Sequence, residues 1–300
     1  ITANYTVTGA KIENFTISLD GIALGNTTTG LYRIFNLSAG DHNISIESPG
    51  YAVKSEIKSI SIVKNLLNFL LYGFNSVSIN IYDEDGAAIT TTNISVKFTS
   101  VYGEFTNTTD TGSLYVENLT AAEYLIVFSG GTYSTRSYTI TVGNFSHQTL
   151  NAFLSSNASD TIFTIKDQDS SDLLPDVLIT MYRTINGSWS AVESKYSDIT
   201  GRTQFSYEED INYKFYLAKS GYQDYVFYLN PILFSSYDIY MTKNLSINYS
   251  VDYDKLSVIW APSSFKNEQN TTFNFIISSP YGVLTSYGIN LSYPGGSTYI

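Results

Sequence analysis

Fifteen asparagines in this chain are followed two residues later by serine or threonine, with no proline between: Asn4, Asn14, Asn26, Asn36, Asn43, Asn93, Asn107, Asn118, Asn144, Asn157, Asn186, Asn244, Asn248, Asn270 and Asn290. That tripeptide is the acceptor for N-glycosylation, in which the side-chain amide takes a bulky, solubilising sugar beside a hydroxyl on a surface segment. With 24 Asn and 71 Ser plus Thr among 300 residues, chance would give about six. The excess runs from end to end and points to an extracellular or cell-surface protein dressed in sugar. Abundant Asn, Ser and Thr in a polar β-rich chain is the competing origin.

Other chemistry is sparse. There are two histidines and no cysteine, which removes thiol catalysis, cysteine-based zinc sites and Fe–S clusters. His42 stands thirteen residues after Thr29, where Tyr124 follows Thr111 and Tyr213 follows Thr200, so its role is structural. His147 lies beside the Asn144 sequon and has no second ligand in the pattern. No Gly-x-Ser-x-Gly turn or Gly-rich phosphate loop is present. The 27 acids show no spacing that marks a glycosidase pair. Asp83-Glu84-Asp85 and Asp167-Gln168-Asp169 with Asp172 offer oxygens that calcium would accept, but they match no full calcium loop and read as turns. The chain therefore reads as non-enzymatic, with no metal and no cofactor beyond covalent glycan.

The elements that carry these residues are strands. Val, Ile, Thr, Tyr and Phe are plentiful, whereas Ala, Met and Lys are scarce. A formal charge of -11 without a basic patch makes nucleic acid a poor partner. The longest apolar stretch, Ile62 to Phe74, is broken by Lys64, Asn65 and Asn68 and is too short to span a membrane. The chain begins at Ile1 rather than Met and shows no signal peptide, as a processed chain or an excised fragment would.

Three segments repeat. Thr29-Gly30, Thr111-Gly112 and Thr200-Gly201 are each followed, 22 residues after the Thr, by Tyr51, Tyr133 and Tyr222. Asn36-Leu37-Ser38 and Asn118-Leu119-Thr120 share one offset. Spacings of 82 and 89 residues are those of tandem domains rather than a solenoid. Within them, Val77, Ile79 and Ile81 alternate with polar residues, as do Ile94, Val96 and Phe98, then Tyr124, Ile126 and Phe128, and Tyr138, Ile140 and Val142. Short alternating runs with turn signals such as Glu84-Asp85-Gly86 predict an all-β chain of tandem Ig-like or transthyretin-like β-sandwiches. The boundaries fall at 1–74, 75–156, 157–243 and 244–300. Each Thr-Gly is a turn before a strand, with Gly at a backbone angle that other residues avoid.

Ile17-Ser18-Leu19-Asp20-Gly21, Gly25-Asn26-Thr27 and Leu37-Ser38-Ala39-Gly40-Asp41-His42, ending at Gly50-Tyr51, resemble the PEGA-type pattern. The Thr-Gly, Leu-Thr and Tyr pattern of the next two copies is similar to carboxypeptidase-regulatory-like modules. The resemblance covers about residues 1–243, and Glu209-Asp210 departs from it in the third copy. It implies a sandwich fold in an archaeal-type or viral surface protein and no catalytic residue. The last 55 or so residues are short for a complete sandwich, and Ile1 to Thr8 reads as a lone strand. Strand donation from one copy to the last domain of the next is one expectation, giving head-to-tail filaments. The alternative is that residues 1–8 are the first strand of the first domain. The expected role is a subunit of a surface filament or stalk. An adhesin or carbohydrate-binding ectodomain is the second reading, and accessory modules of a secreted enzyme the third.

Overall fold

A computed structural model describes residues 1–63, 65–231 and 236–244, with the backbone of Ser257–Ile259, Ile276–Ser278, Asn290–Tyr293 and Gly296–Tyr299. Those four short strands form two antiparallel pairs. Most of residues 244–300, and with them the expectation of a short domain completed by a neighbour, lie outside the described residues. Every regular element among the described residues is a strand, and the chain divides into two compact units, Ile1–Ser156 and Asn157–Ile300.

The first unit opens with β1 (Thr2–Tyr5), β2 (Phe15–Leu19), β3 (Ile22–Thr27), β4 (Gly40–Glu47), β5 (Lys54–Ile60) and β6 (Asn68–Leu71). β1 pairs in parallel with β6, facing the antiparallel sheet β3-β2-β4-β5. Ala3, Phe69 and Leu71 from one layer meet Ile17, Ile44 and Ile46 from the other in one apolar cluster. Ile1 to Thr8 is therefore not a spare strand: β1 is built into its own sandwich, with Ala3 fully buried. Donating it to a neighbour would strip that core, so the structure takes the alternative in which it is the first strand of the first sandwich.

The same unit continues with β7 (Ser76–Asp83), β8 (Ile94–Ser100), β9 (Gly103–Thr109), β10 (Ser113–Val116), β11 (Ala122–Gly130), β12 (Tyr133–Val142) and β13 (His147–Leu154). The sheets are β10-β7-β13 and β12-β11-β8-β9. The alternating residues of β7, β8 and β11 are the core, with Val77, Ile79, Ile81, Ile94, Val96, Phe98, Ile126 and Phe128 all at 0% exposure. In the second unit, β14 (Ser159–Asp167), β15 (Leu178–Ile185), β16 (Ser188–Tyr196), β17 (Arg202–Tyr207), β18 (Tyr213–Ala218), β19 (Tyr225–Leu229) and β20 (Ser236–Met241) repeat that order strand for strand, as β17-β14-β20 and β19-β18-β15-β16. Its two layers meet around Phe163, whose ring lies 4.8–5.8 Å from those of Phe205, Phe215, Phe227 and Tyr237. At the place in the first sandwich that corresponds to β10 and β17, Tyr32 exchanges two backbone bonds with Ile1, at 2.8 and 3.0 Å.

The repeated Thr-Gly is a shared turn. Gly30, Gly112 and Gly201 have φ of 68°, 73° and 68°, the left-handed region that a Cβ disfavours. Two residues before each Thr stands an acceptor that closes the loop. Thr27 Oγ1 accepts from the Thr29 amide (3.2 Å), Thr109 Oγ1 from the Thr111 amide (3.2 Å), and Asp198 Oδ1 from the Thr200 amide (2.8 Å). At Gly201 an added Cβ would stand 2.8 Å from the Ile165 carbonyl and 3.0 Å from the Leu174 amide. Gly201→Ala should therefore cost about 1–3 kcal/mol or more, strain and clash together. Gly187, at φ 79° with open space around it, should lose only the strain. Urea unfolding followed by tryptophan fluorescence ranks the two; equal losses would remove the clash from the account.

Candidate functional site

The sequon asparagines are dispersed over the surface. Asn14, Asn26, Asn36, Asn43, Asn93, Asn118, Asn144, Asn157 and Asn186 are exposed, Asn4, Asn107 and Asn244 are partly exposed, and none of these twelve is buried. Asn248 and Asn270 lie outside the described residues, and Asn290 is described only as strand backbone. Three have a second reason to be asparagine: Asn36, Asn118 and Asn186 take φ of 57°, 60° and 51°, which Asn tolerates better than most residues. Two others mark sheet edges. Asn26 on β3 and Asn107 on β9 occupy corresponding edge strands whose residues are almost all exposed. Unpaired edges template aggregation unless they are covered or charged.

The densest polar constellation in the first unit joins its two sandwiches. Glu117, just after β10, accepts hydrogen bonds from the hydroxyls of Tyr5 (2.6 Å) and Tyr115 (2.9 Å). The Tyr115 hydroxyl accepts in turn from the Gly73 amide at 2.9 Å. A Cβ on Gly73 would collide with the Glu117 carboxylate, so the bare backbone of the first sandwich is the slot that the acid of the second occupies. Burial and the bond to Glu117 push the Tyr5 hydroxyl well above its ordinary pKa. Nearby, the His147 ring stacks on Tyr72 with centroids 3.5 Å apart, and the Asn118 amide donates to the Phe74 carbonyl at 3.3 Å. Asn75 ties the linker down, donating to the Leu119 carbonyl (2.8 Å) and accepting from the Phe145 amide (2.7 Å). Apart from Tyr115–Glu117, these contacts join residues 42 to 112 positions apart, beyond the reach of any local spacing.

The two histidines differ in their surroundings. His42 takes the place of Tyr124 and Tyr213, and all three reach back to nearby backbone. Tyr124 donates to the Thr120 carbonyl (3.0 Å), the Tyr213 hydroxyl accepts from the Glu208 amide (2.9 Å), and His42 Nε2 meets the Ser38 carbonyl (3.1 Å). Its Nδ1 lies 2.7 Å from Asp20, whose carboxylate holds the imidazole pKa above 6.5. His147 contacts Ser76 Oγ through Nδ1 at 2.8 Å. Since that hydroxyl donates to the Gly73 carbonyl, the ring donates, and its buried Nε2 has no hydrogen-bond partner. Burial and the charge on Lys54 hold its pKa below 6.5. The His42 contribution to stability is thus complete below pH 6.5 and is lost as pH rises through the raised value. For His147 the unfolded chain takes the proton first, so stability falls as pH drops below 6.5. With two histidines, two C2–H signals should titrate by NMR on opposite sides of 6.5, and His42→Tyr should remove the higher one. A shared midpoint would refute this account.

The acidic turns spend their carboxylates internally. Asp83 Oδ1 accepts the amides of Asp85 (3.1 Å) and Ala87 (2.8 Å), and Glu84 is buried against Arg136. Asp167 Oδ1 accepts the amides of Asp169 and Ser170, both at 2.9 Å, while its Oδ2 meets the Tyr222 hydroxyl (2.8 Å) and the Lys243 ammonium (2.9 Å). Burial pushes this carboxyl up, but those amides, the ammonium and the hydroxyl together hold it well below the usual carboxylate range. Burial and Asp167 push Tyr222 up to about 12. No group of three or more His, Asp or Glu that could hold a metal ion occurs among the described residues. No helix among them is long and apolar enough to cross a membrane.

No family model matches the chain and no curated protein matches it, so the PEGA-like and carboxypeptidase-regulatory-like likeness rests on the short motifs alone. Solved structures similar to it include the Bacillus anthracis TIE protein, at 13% identity and a TM-score of 0.26 over 77% of this chain and 52% of that one. The shaft pilin SpaA from Lactobacillus rhamnosus GG is another, at 13% identity and a TM-score of 0.26 over 56% of this chain and 96% of that one. A streptococcal ancillary pilin matches at 13% identity and a TM-score of 0.24 over 73% and 81%. The chain spans about half the length of the TIE protein. Global superposition is poor in each case; the fold follows from the strand pairing above, and function from the chain's own residues.

Proposed function

We propose that the chain is a structural, N-glycosylated segment of an extracellular surface filament or stalk, in the style of an archaeal or viral surface protein, whose β-sandwich modules give reach. The observation that carries this reading is the junction in the first unit. Glu117 seated at Gly73, with two tyrosine hydroxyls converging on it, fixes one sandwich against the next, as a load-transmitting rod requires and a loose string of binding domains does not. Exposure of the described sequons, and their place on the edge strands β3 and β9, support glycan as the cover that keeps long sheets apart. Association is head to tail, through surfaces other than β1, which its own core holds.

A second reading, an adhesin or carbohydrate-binding ectodomain, draws support from half-exposed Trp189 and Tyr228 on one face of the second unit. Cryo-EM of the natively purified protein separates the two. Filaments with branched density on most sequons uphold the structural reading. Isolated molecules that retain an exogenous oligosaccharide favour the adhesin, and bare asparagines would remove the extracellular premise.

A further inference from the structure

On the outer face of β16-β15-β18-β19, rings gather at one end of the sheet. Ile179, Met181 and Ile185 of β15 point into the core, so Tyr182 and Thr184 point outward. Register carries that outward face across the sheet: Thr184 opposes Trp189, and Lys214 opposes both Tyr182 and Tyr228. Trp189 is 42% exposed and Tyr228 64%, and their rings lie 5.8 Å apart at 55°. The Lys214 ammonium stands over Tyr182 (4.2 Å) and Trp189 (5.3 Å). Farther along the same face, away from the turn, the Tyr216 hydroxyl donates to Asp224 at 2.5 Å. An apolar floor with a few polar groups around it is the chemistry that receives a sugar ring, whose C–H face packs on aromatic faces while its hydroxyls seek polar edges.

The occupant is indicated by the hairpin that ends at this patch. Ile185 and Ser188 are the last pair of β15 and β16, and Asn186-Gly187 closes the turn with φ of 51° and 79°. Such a turn accepts Asn, Asp or Gly at its first position, so the turn alone requires neither the amide nor the Ser188 hydroxyl that completes the sequon. Trp189 is one residue beyond the last pair, so its side chain begins within about 7 Å of the turn along the strand. We infer that the N-glycan carried by Asn186 folds back onto Trp189 and Tyr228, with Lys214 meeting its polar groups. This rests on the reading of the chain as N-glycosylated. A covalent tether makes docking intramolecular, at effective concentrations of the order of millimolar, so weak stacking suffices. A free sugar or a partner protein would lack that advantage.

Trp189 reports on its own cover. The chain has two tryptophans, so Trp260→Phe leaves Trp189 as the only one. The full chain, made in a host that glycosylates it, is compared with Ser188→Ala and Asn186→Asp, both of which end the sequon while leaving residues the turn accepts. Intact glycopeptide mass reads occupancy at Asn186, and circular dichroism confirms the fold. Loss of the glycan should shift Trp189 emission to the red and raise its quenching by acrylamide in both variants. An occupied Asn186 with unchanged quenching would overturn the inference and leave glycosylation standing. A bare Asn186 in the native chain would overturn both at this position. Protection of Trp189 by added oligosaccharide in the native glycosylated chain would show the face open to foreign sugar and overturn the assignment of its occupant.

Discussion

Replacing Glu84 with Gln lowers the stability of the first unit by about 3–5 kcal/mol, because it removes the carboxylate charge that faces the buried Arg136 guanidinium. Arg136 is the largest fully buried side chain in the described protein, at 0% exposure against 2% for Glu84. Its Nη1 also lies 3.4 Å from the Phe153 carbonyl, so the pair sits where β12 meets β13. Arg136→Met alone should cost a comparable amount by removing the cation that faces the buried carboxylate, whereas Glu84→Leu with Arg136→Met should recover most of the loss, since an apolar pair of similar volume needs no desolvation. Calorimetry of the full chain reads the transition of the first unit. Both tryptophans lie in residues 157–300 and serve as a control, their unfolding unmoved. Additive losses in the double variant would mean that the two groups do not act as a pair.

That pair shows where a single sequence stops being legible. Val77, Ile79 and Ile81 declare their face by alternation, since a strand's side chains repeat every two residues, and the Thr-Gly turns declare themselves because only glycine takes their φ without strain. The acid of Asp83-Glu84-Asp85 looks like its neighbours, yet Asp83 and Asp85 belong to a turn and Glu84 to the core. Its partner is 52 residues away, and no local period connects them. The acceptor two residues before each Thr was available as Thr27, Thr109 and Asp198, but two residue types doing one task hide a repeat from letter matching. The pairing of Tyr32 with Ile1 was hidden differently: the two are 31 residues apart, and no local spacing connects them. For the sequons, sequence gives the acceptor and structure gives its exposure. The left-handed Asn36, Asn118 and Asn186 further show that one residue can serve backbone and modification together.

Gly73→Ala should uncouple the two sandwiches of the first unit although its backbone lies outside the left-handed region, where alanine is ordinarily tolerated. The cost arises between sandwiches: the new methyl takes the place of the Glu117 carboxylate, which must withdraw from Tyr5 and Tyr115. Two bonds to a charged acceptor, discounted because Glu117 is partly exposed, are together worth about 2–4 kcal/mol of coupling. Glu117→Ala should cost about the same by a different route. The decisive comparison is the double variant, in which the acid is gone and the methyl meets only the end of the Tyr115 side chain, 3.1 Å away, so Gly73→Ala should cost much less in the Glu117→Ala background. Calorimetry should show the cooperative transition of residues 1–156 splitting in either single variant, and small-angle scattering of the full chain should report a broader spread of dimensions. If Gly73→Ala leaves one transition of unchanged width, Glu117 does not lock the junction, and the structural reading loses the observation that carries it.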